Sequence, residues 1–504
     1  MLTRDVRQKV DAETGGRTLL NGVGLPAGEV EQWLGLAGPP MPTSPPLPRS
    51  VLPDHTAAVL RQLGAGEALL DRLPERRRRN PREEQAVAFV RRQLRRTREE
   101  FLRHHVLPVY AELTEGFTRP QRVAQLLEAA SHRFPGLLPD RAKVAADAAR
   151  PLGAKEGYEL DQAIFVHHLM TAPAAGNDII AAMRAPHPEA LHLRRAFRDT
   201  GRVLLPHAEV VREDGHGYVL LRNPKYLNAE DEATNLSLEI AVDLILLDER
   251  TDVGVLRGAR IERPRYPVTR GFNSGLNLTH LYEGKIPYLF FIERELGYVS
   301  KIQRGLAPPA EPVDPADRPR DAGEKLWIAA VDRFAIGGGL QLLLVVDHVV
   351  AAEGAIISLP AAAEGLIPGA AIMRLWRFLG ERAARRLVFL NQPMKAGTAE
   401  SRLFCDRVVP AQDVSQTVRD IVPELLRAGR MSALANRRAL GFSVEPPETF
   451  RQYMAIYARE QAYCLLSEEL KDNLERTWPA AKAAGECETK LSPSARSEER
   501  NQRD

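Results

Sequence analysis

The sequence predicts an α/β domain flanked by helices, on three observations. From Pro81 to about Arg198 apolar residues recur at three- and four-residue steps, as at Val87, Val90 and Leu94, then Leu102 and Val106, which is the spacing of one helix face. From about Val203 short β-branched runs alternate with helical stretches, the pattern of a sheet layered with helices. After Pro410 the chain reads as helix again, through Ser432–Leu440 and Thr449–Arg476. At 504 residues it is too long for one small core, so two or more domains are expected.

Taken in order, residues 1–55 are expected to be loosely structured, because Gly38–Pro53 is rich in proline and has little apolar surface to bury. The basic run Arg76–Arg79, flanked by Glu75, Glu83 and Glu84, reads as a solvated face more readily than as a phosphate site. Residues 56–202 form an all-helical N-terminal domain. Residues 203–445 form the α/β domain, with strands at Tyr218–Leu221, Val253–Leu256, Trp327–Val331, Val349–Ala352 and Ile356–Leu359. Its helices fall at Ala233–Leu247 and from Gly338 to about Val346, and Gly305–Gly323 is a proline-interrupted loop. Residues 446–478 are a C-terminal helical region, and residues 479–504 are polar and charged, read as a disordered tail.

Composition excludes several functions. Lys and Arg number 69 against 66 Asp and Glu, too small an excess to imply a nucleic-acid or membrane partner. The longest apolar runs, such as Leu340–Val346, fall far short of the ~20 residues of a spanning helix, and no early stretch has the form of a secretory signal. Cys405, Cys464 and Cys487 lack metal-ligand spacing and cannot all pair internally, which fits a reduced cytoplasmic compartment. His187-Pro188-Glu189 with His192 offers two imidazoles and a carboxylate, but Pro188-Glu189 reads better as a helix start. No metal is expected.

The most informative segment is Trp327–Asp347, where a buried strand runs into Gly337-Gly338-Gly339 and a helix begins at once. Without Cβ atoms in the turn a ligand can approach the backbone, and the free N–H groups of a helix start favour negative charge. A dinucleotide fingerprint fails, because its third glycine would fall on Leu342. A second small-residue turn, Gly271–Leu278 (GFNSGLNL), supplies a possible partner. Two such turns, each offering one N–H, could clasp a thioester oxygen and stabilise an enolate, where one lost donor typically costs ~10²–10³ in rate.

Here the sequence resembles the crotonase (enoyl-CoA hydratase/isomerase) family. The features that carry the resemblance are Leu227-Asn228-Ala229, Ser274-Gly275-Leu276-Asn277-Leu278, Ala335–Gly339 and Leu366-Ile367-Pro368-Gly369, in family order and spacing. The resemblance implies a crotonase-like ββα superhelix preceded by the helical domain and followed by C-terminal helices. It also implies an oxyanion hole from the amides of Leu276 and Gly338, with Ser274, Gly275, Asn277 and Leu278 around the substrate and Lys225 and Leu227 at the CoA nucleotide. A plain strand-to-helix corner with a solvated lysine is the other reading of that last segment.

The two carboxylates that hydration needs are absent, because the matching positions hold Gln341 and Ala361. An amide and a methyl group do not exchange protons, so water addition by the family route is excluded. Glu364, three residues on, faces solvent, caps a helix or serves as a base.

One branch of the family shows the same departure, the 3,5-dihydroxyphenylacetyl-CoA dioxygenases of glycopeptide-antibiotic pathways. Lys155–Phe165, Arg294–Tyr298, Phe334–Leu344, the LPAAAEGLIPGAA stretch and Ala433–Leu440 all look like that branch. It implies a dioxygenase acting on an arylacetyl-CoA and O₂ without metal or flavin, releasing CoA and an arylglyoxylate. Glu230 would contact ring hydroxyls or cap a helix. Arg294 would meet the substrate region with Gln341, or form a salt bridge to Glu295 or Glu293. Arg263, Pro264, Arg265, Tyr266 and Arg402 would lie near the ligand, and Ile367, Pro368 and Gly369 would line the aryl pocket. A homo-oligomer, trimer or hexamer, is expected through Thr449–Arg476, unless that amphipathic segment packs on its own domain. The alternatives are another crotonase reaction, with His280 or Tyr282 as the acid–base group, or an acyl-CoA-binding protein without turnover.

Overall fold

A computed structural model describes residues 15–36, 52–263, 266–307 and 323–477. They divide into two compact units that part between Ile179 and Ile180, inside the helix Pro173–Arg184.

The first unit is helical, with helices at Ala27–Gly35, Leu52–Asp71, Pro81–Leu113, Val123–Arg133, Arg141–Ala148 and Glu159–Thr171. The longest begins where Asn80 Oδ1 accepts from the amides of Arg82 and Glu83 while the Glu83 carboxylate accepts from the Asn80 amide. With Pro81 as the first helical residue, this closes a capping box, and the predicted stripe of Val87, Val90, Leu94 and Leu102 is buried. The expectation of a loose N-terminus needs correcting. Residues 15–22 are helical, and Leu20, Leu25, Val30 and Trp33 are buried, because apolar residues at helical spacing precede the proline run. Residues 1–14 and 37–51 lie outside the described residues. The basic run is not wholly solvated either: Arg76 donates to Lys155 O, and Arg79 pairs with Glu156 at 2.7 Å.

The boundary falls about two dozen residues earlier than expected. Helix Pro188–Thr200 belongs to the second unit because its Ala190 and Phe197 sit in the same apolar core as the sheet. His187 also donates its amide to Asp243 at 2.6 Å.

The second unit is built on a seven-stranded sheet. Its strands are β1 (Arg202–Leu204), β2 (Ala208–Glu213), β3 (His216–Leu221) and β4 (Val253–Gly258); after the hairpin of β5 (Arg260–Arg263) and β6 (Tyr266–Arg270) come β7 (Leu326–Val331), β8 (Phe334–Ile336), β9 (His348–Ala352), β10 (Ile356–Ser358), β11 (Met394–Lys395) and β12 (Arg407–Val409). The large sheet runs β1-β2-β3-β4-β7-β9-β12, and a small one runs β11-β10-β8. From β3 to β12 neighbours are parallel, whereas β1-β2-β3 is an antiparallel meander. Parallel strands are covered on both faces, and β7 shows it residue by residue. Trp327, Ala329 and Val331 enter one core with helix Glu232–Leu247, while Leu326, Ile328 and Ala330 enter the other with helix Val414–Leu425. β9 alternates in step, Val349 and Ala351 on the first side and Val350 and Ala352 on the second.

The small sheet positions the chemistry. β8 and β10 pair in parallel, Phe334 with Ile356, and each ends in a turn that opens a short helix, Gly338–Leu343 after β8 and Ala361–Glu364 after β10. The first helix is shorter than the sequence suggests. The C-terminal segment forms two helices, Pro447–Leu465 and Glu468–Thr477, not one. Residues 308–322, the body of the predicted loop, and the tail from 478 onward lie outside the described residues.

Candidate active site

The turn after β8 depends on its first glycine. Gly337 adopts φ 53° and ψ −111°, a left-handed conformation that strongly favours glycine. Its amide donates to Ser358 O at 2.8 Å, tying the turn to β10. Beside it, Asn273 and Ala335 form a parallel bridge, with the Ile336 amide on Asn273 O at 2.9 Å. The two chains then run together. A Cβ on Gly337 would stand 3.3 Å from the Gly275 Cα, so the two turns touch, and Leu276 and Gly338 are the next residues on either side of that contact. Gly338 is the first helical residue, where an amide has no intrahelical acceptor. Neither the Leu276 nor the Gly338 N–H has a hydrogen-bond partner among the described residues.

Both residues line one cleft. Its wall also contains Glu230, Arg294, Gln341, Ile367, Pro368 and Gly369, so the residues predicted to be catalytic, Glu230 and the three predicted to line the aryl pocket share one cleft.

Arg294 organises the polar side. Its guanidinium gives Nε to Glu230 Oε2, one amino group to Glu295 at 2.8 Å and Gln341 Oε1 at 2.7 Å, and the other to Glu230 Oε1 and Gly338 O, both at 3.1 Å. An arginine has five N–H donors, and every one is used. Burial opposes its charge, but Glu230, Tyr298 and Glu295 outweigh that and hold the pKa well above the usual arginine value. Burial first, then the carboxylates, keep the Tyr298 phenol protonated, and it donates to Glu230 Oε1 at 3.1 Å. Asn273 Nδ2 adds a further donor to the same oxygen at 2.5 Å. Because Arg294 fixes Gln341 by its Oε1, the Gln341 amide N–H₂ is left without a partner among the described residues.

Arg294 and Glu295 lie on a segment buried along most of its length, just ahead of a break in the helix. Tyr288–Arg294 is followed by one π-helical turn, Glu295–Val299, kinked at Gly297, before Ser300–Arg304; such single turns recur at functional sites.

Other predicted residues stand elsewhere. Leu227 and Asn228 form the left-handed corner after β3, with φ of 54° and 58°, and Asn228 Nδ2 ties the corner to Ala259 O and Gly271 O. Lys225 is exposed, over the Tyr226 ring. Ser274 donates to Tyr226 O, Asn277 caps helix Leu278–Tyr282, and Gly275 packs on the Gly337 turn. None of these, nor Arg402, is part of the cleft wall. Arg263 and Tyr266 are on the β5–β6 hairpin, while Pro264 and Arg265 lie outside the described residues. His280 is engaged by Asp231 at 3.0 Å and Tyr282 by Glu475 at 3.1 Å, so neither supplies the cleft. His187 caps helix Pro188–Thr200 through Nδ1, and no metal-binding group of three His, Cys, Asp or Glu is found among the described residues.

Several wall residues carry no sequence motif. Phe290 and Phe291 come from the helix before the π turn, and Tyr457 from helix Pro447–Leu465. On that last helix Tyr453 stacks beside Tyr457 and donates to Gly369 O at 2.5 Å. Inward-facing Phe450, Met454, Tyr457 and Leu465 show the segment packing on its own unit.

Paired amides over a cleft, with an amide and a methyl at the acid positions, define the class. The chain belongs to the enoyl-CoA hydratase/isomerase (crotonase) family, whose model matches residues 320–473. It is 42% identical over 420 residues, 83% of its own length and 94% of the relative's, to the (3,5-dihydroxyphenyl)acetyl-CoA 1,2-dioxygenase of Amycolatopsis orientalis. The carnitinyl-CoA dehydratase of Salmonella typhi is 29% identical over 125 residues, so that the match spans 25% of this chain and about half (48%) of that relative. Among solved structures, an enoyl-CoA hydratase from Mycobacterium avium subsp. paratuberculosis K-10 is similar at 20% identity and a TM-score of 0.43, covering 54% of this chain and 95% of that one.

Proposed function

We propose that this protein is a dioxygenase that converts 3,5-dihydroxyphenylacetyl-CoA, or a closely related arylacetyl-CoA, and O₂ into the arylglyoxylate and free CoA. One observation carries the reading: two unpartnered amides, at Leu276 and Gly338, stand over a cleft whose hydratase acid positions hold Gln341 and Ala361. Similarity to the Amycolatopsis orientalis dioxygenase over most of both chains supports it.

The α-carbon of an arylacetyl thioester is acidified by the ring and by the carbonyl. Donors aimed at the thioester oxygen lower the cost of its carbanion. A carbanion conjugated to a phenolate is electron-rich enough to reduce O₂ by one electron, and recombination gives a peroxide at the α-carbon. Attack of that peroxide on the thioester carbonyl expels CoA, and O–O cleavage leaves the ketone and the carboxylate. Both oxygens of O₂ end in the arylglyoxylate, and no outside reductant is needed. On this reading neither metal nor flavin takes part, and the protein contributes binding, fixed dipoles and a dry pocket. Arg294, with every donor committed, acts as a positioning residue for Gly338, Gln341 and Glu230, and the free Gln341 N–H₂ faces the ligand.

We also propose a homo-oligomer, trimer or hexamer. Trp376 (51% exposed), Phe389 (65%) and Leu390 (63%) stand outside helices Ala371–Leu379 and Glu381–Leu390, and Leu440 (66%) and Phe442 (69%) outside helix Arg430–Val444. A neighbouring subunit seated on these faces would cover them. Unpaired Cys405 and Cys464 fit a reducing, cytoplasmic compartment, and no described helix is long and apolar enough to cross a membrane.

The test is oxygen uptake by chelator-treated, flavin-free protein given 3,5-dihydroxyphenylacetyl-CoA. One O₂ consumed per CoA released, with ¹⁸O₂ label entering the acid, is expected. CoA release that continues under strict anaerobiosis would refute the reading.

A further inference from the structure

The proposed reaction needs a group to take the α-proton, and the two hydratase positions supply none. Glu230 and Glu295 are both committed to Arg294. One other carboxylate lines the cleft: Glu364, with Ala361, Leu276 and Gly338 in the same wall. It closes the short helix Ala361–Glu364, which leaves β10 through Leu359-Pro360. Residues three apart on a helix lie on one face, with Cβ atoms ~5–6 Å apart. Glu364 thus starts one turn beyond the place where a hydratase keeps its acid and lines the same cleft.

Its helix is held from behind. Helices Glu381–Leu390 and Glu468–Thr477 pack against it, and Gly365 ends it in the left-handed conformation with its amide on Ala361 O at 2.8 Å. The half-buried Glu364 side chain has no hydrogen-bond or ion-pair partner among the described residues. A carboxyl partly withdrawn from water without a partner is destabilised in its charged form.

We propose that Glu364 is the general base that removes the α-proton of the bound arylacetyl thioester. The assignment rests on the dioxygenase reading above. The α-C–H bond breaks, its electron pair passes into the enolate whose oxygen lies on the Leu276 and Gly338 amides, and the proton moves to a Glu364 oxygen. From there it is available to the departing CoA thiolate. The second α-hydrogen leaves as a solvent proton when O–O cleavage forms the ketone. Burial alone pushes the Glu364 carboxyl up to about 8, close to the working pH at which a general base is most effective.

The experiment separates the base from the overall reaction. Under strict anaerobiosis in deuterium oxide, wild-type protein with 3,5-dihydroxyphenylacetyl-CoA exchanges the α-hydrogens, read by mass spectrometry, and Glu364→Gln lowers that exchange at least ~100-fold, the lower range of general-base contributions. Binding of the same ester stays within threefold of wild type. Formate added to Glu364→Ala restores exchange, and this arm also serves if Glu364→Gln does not fold. Exchange within threefold of wild type in either variant without formate overturns the assignment, as does loss of exchange caused by loss of ester binding. Failure of the dioxygenase reading looks different: wild type would then exchange the α-hydrogens yet consume no O₂ on aeration.

Discussion

Two buried arginines show how little a buried charge says by itself. Arg98, in the helical unit, is 2% exposed at the side chain and binds Asp161, Glu67, Leu137 O and Gly136 O. Arg294, in the second unit, is 5% exposed and binds Glu230, Glu295, Gln341 and Gly338 O. Each pairs with two acids and gives further N–H groups to carbonyl oxygens. What differs is where the partners lead. The acceptors of Arg98 bind it into helix packing, whereas all those of Arg294 belong to the wall of one cleft. Function follows from what the saturated ion pair holds in place.

Removing the arginines is the strongest way to break that comparison. Arg294→Met leaves Glu230 buried without a cation and is expected to cost about 3–5 kcal/mol of stability, read as a shift in denaturant midpoint, whereas after Arg98→Met Asp161 keeps Arg95 and Glu67 keeps Lys143, so its shift should be smaller. Only Arg294→Met should also depress kcat per folded molecule, by more than tenfold. An equal kcat loss in Arg98→Met would erase the distinction.

Gly338→Ala sharpens it with a slightly smaller effect. A Cβ there would stand 2.9 Å from both Glu230 oxygens and 3.0 Å from an Arg294 amino nitrogen, so the turn must move and misplace its N–H. A kcat loss of ~10²–10³, as for one lost oxyanion donor, is expected, with the affinity for CoA itself little changed. Near-normal turnover would show that this amide does not bear on the developing charge.

The smallest effect concerns a third cluster, at Glu445, which gathers Arg304, Arg374 and Arg377. Burial works to raise its pKa, but those arginines, Arg374 foremost, pull it down to about 2. Its contribution is therefore present above the unfolded value near 4.5 and is lost as pH falls through about 2. That window corresponds to about 3 kcal/mol. Glu445→Gln should flatten stability against pH between about 5 and 2, measured by denaturant titration. An unchanged acid limb would assign the stabilisation to other carboxylates.

Much of this site was legible because its parts are local in sequence. A strand, three glycines and a helix start place an unpartnered amide at Gly338 whatever surrounds them, and Gln341 falls one turn on. Leu276 and Ile367–Gly369 were legible as motifs. Phe290, Phe291 and Tyr457 were not, since they reach the cleft only after distant helices dock, and an amphipathic stripe does not say which neighbour it faces. The domain boundary was misplaced for a related reason: helix Pro188–Thr200 has an ordinary helical period, and only its Ala190 and Phe197 contacts assign it to the sheet. The π turn at Glu295–Val299 has no sequence signature, because it changes hydrogen-bond register without changing composition.

That turn makes the site vulnerable to a kind of lesion that no point substitution imitates. An α-helix advances ~100° per residue, so losing one codon at Gly297, which is not in the cleft wall, would turn Arg294 by about that angle relative to Ser300–Arg304. The guanidinium would leave Glu230, Gln341 and the Gly338 carbonyl together. Every residue of the cleft wall would still be encoded, yet the assembly that aligns them would be gone.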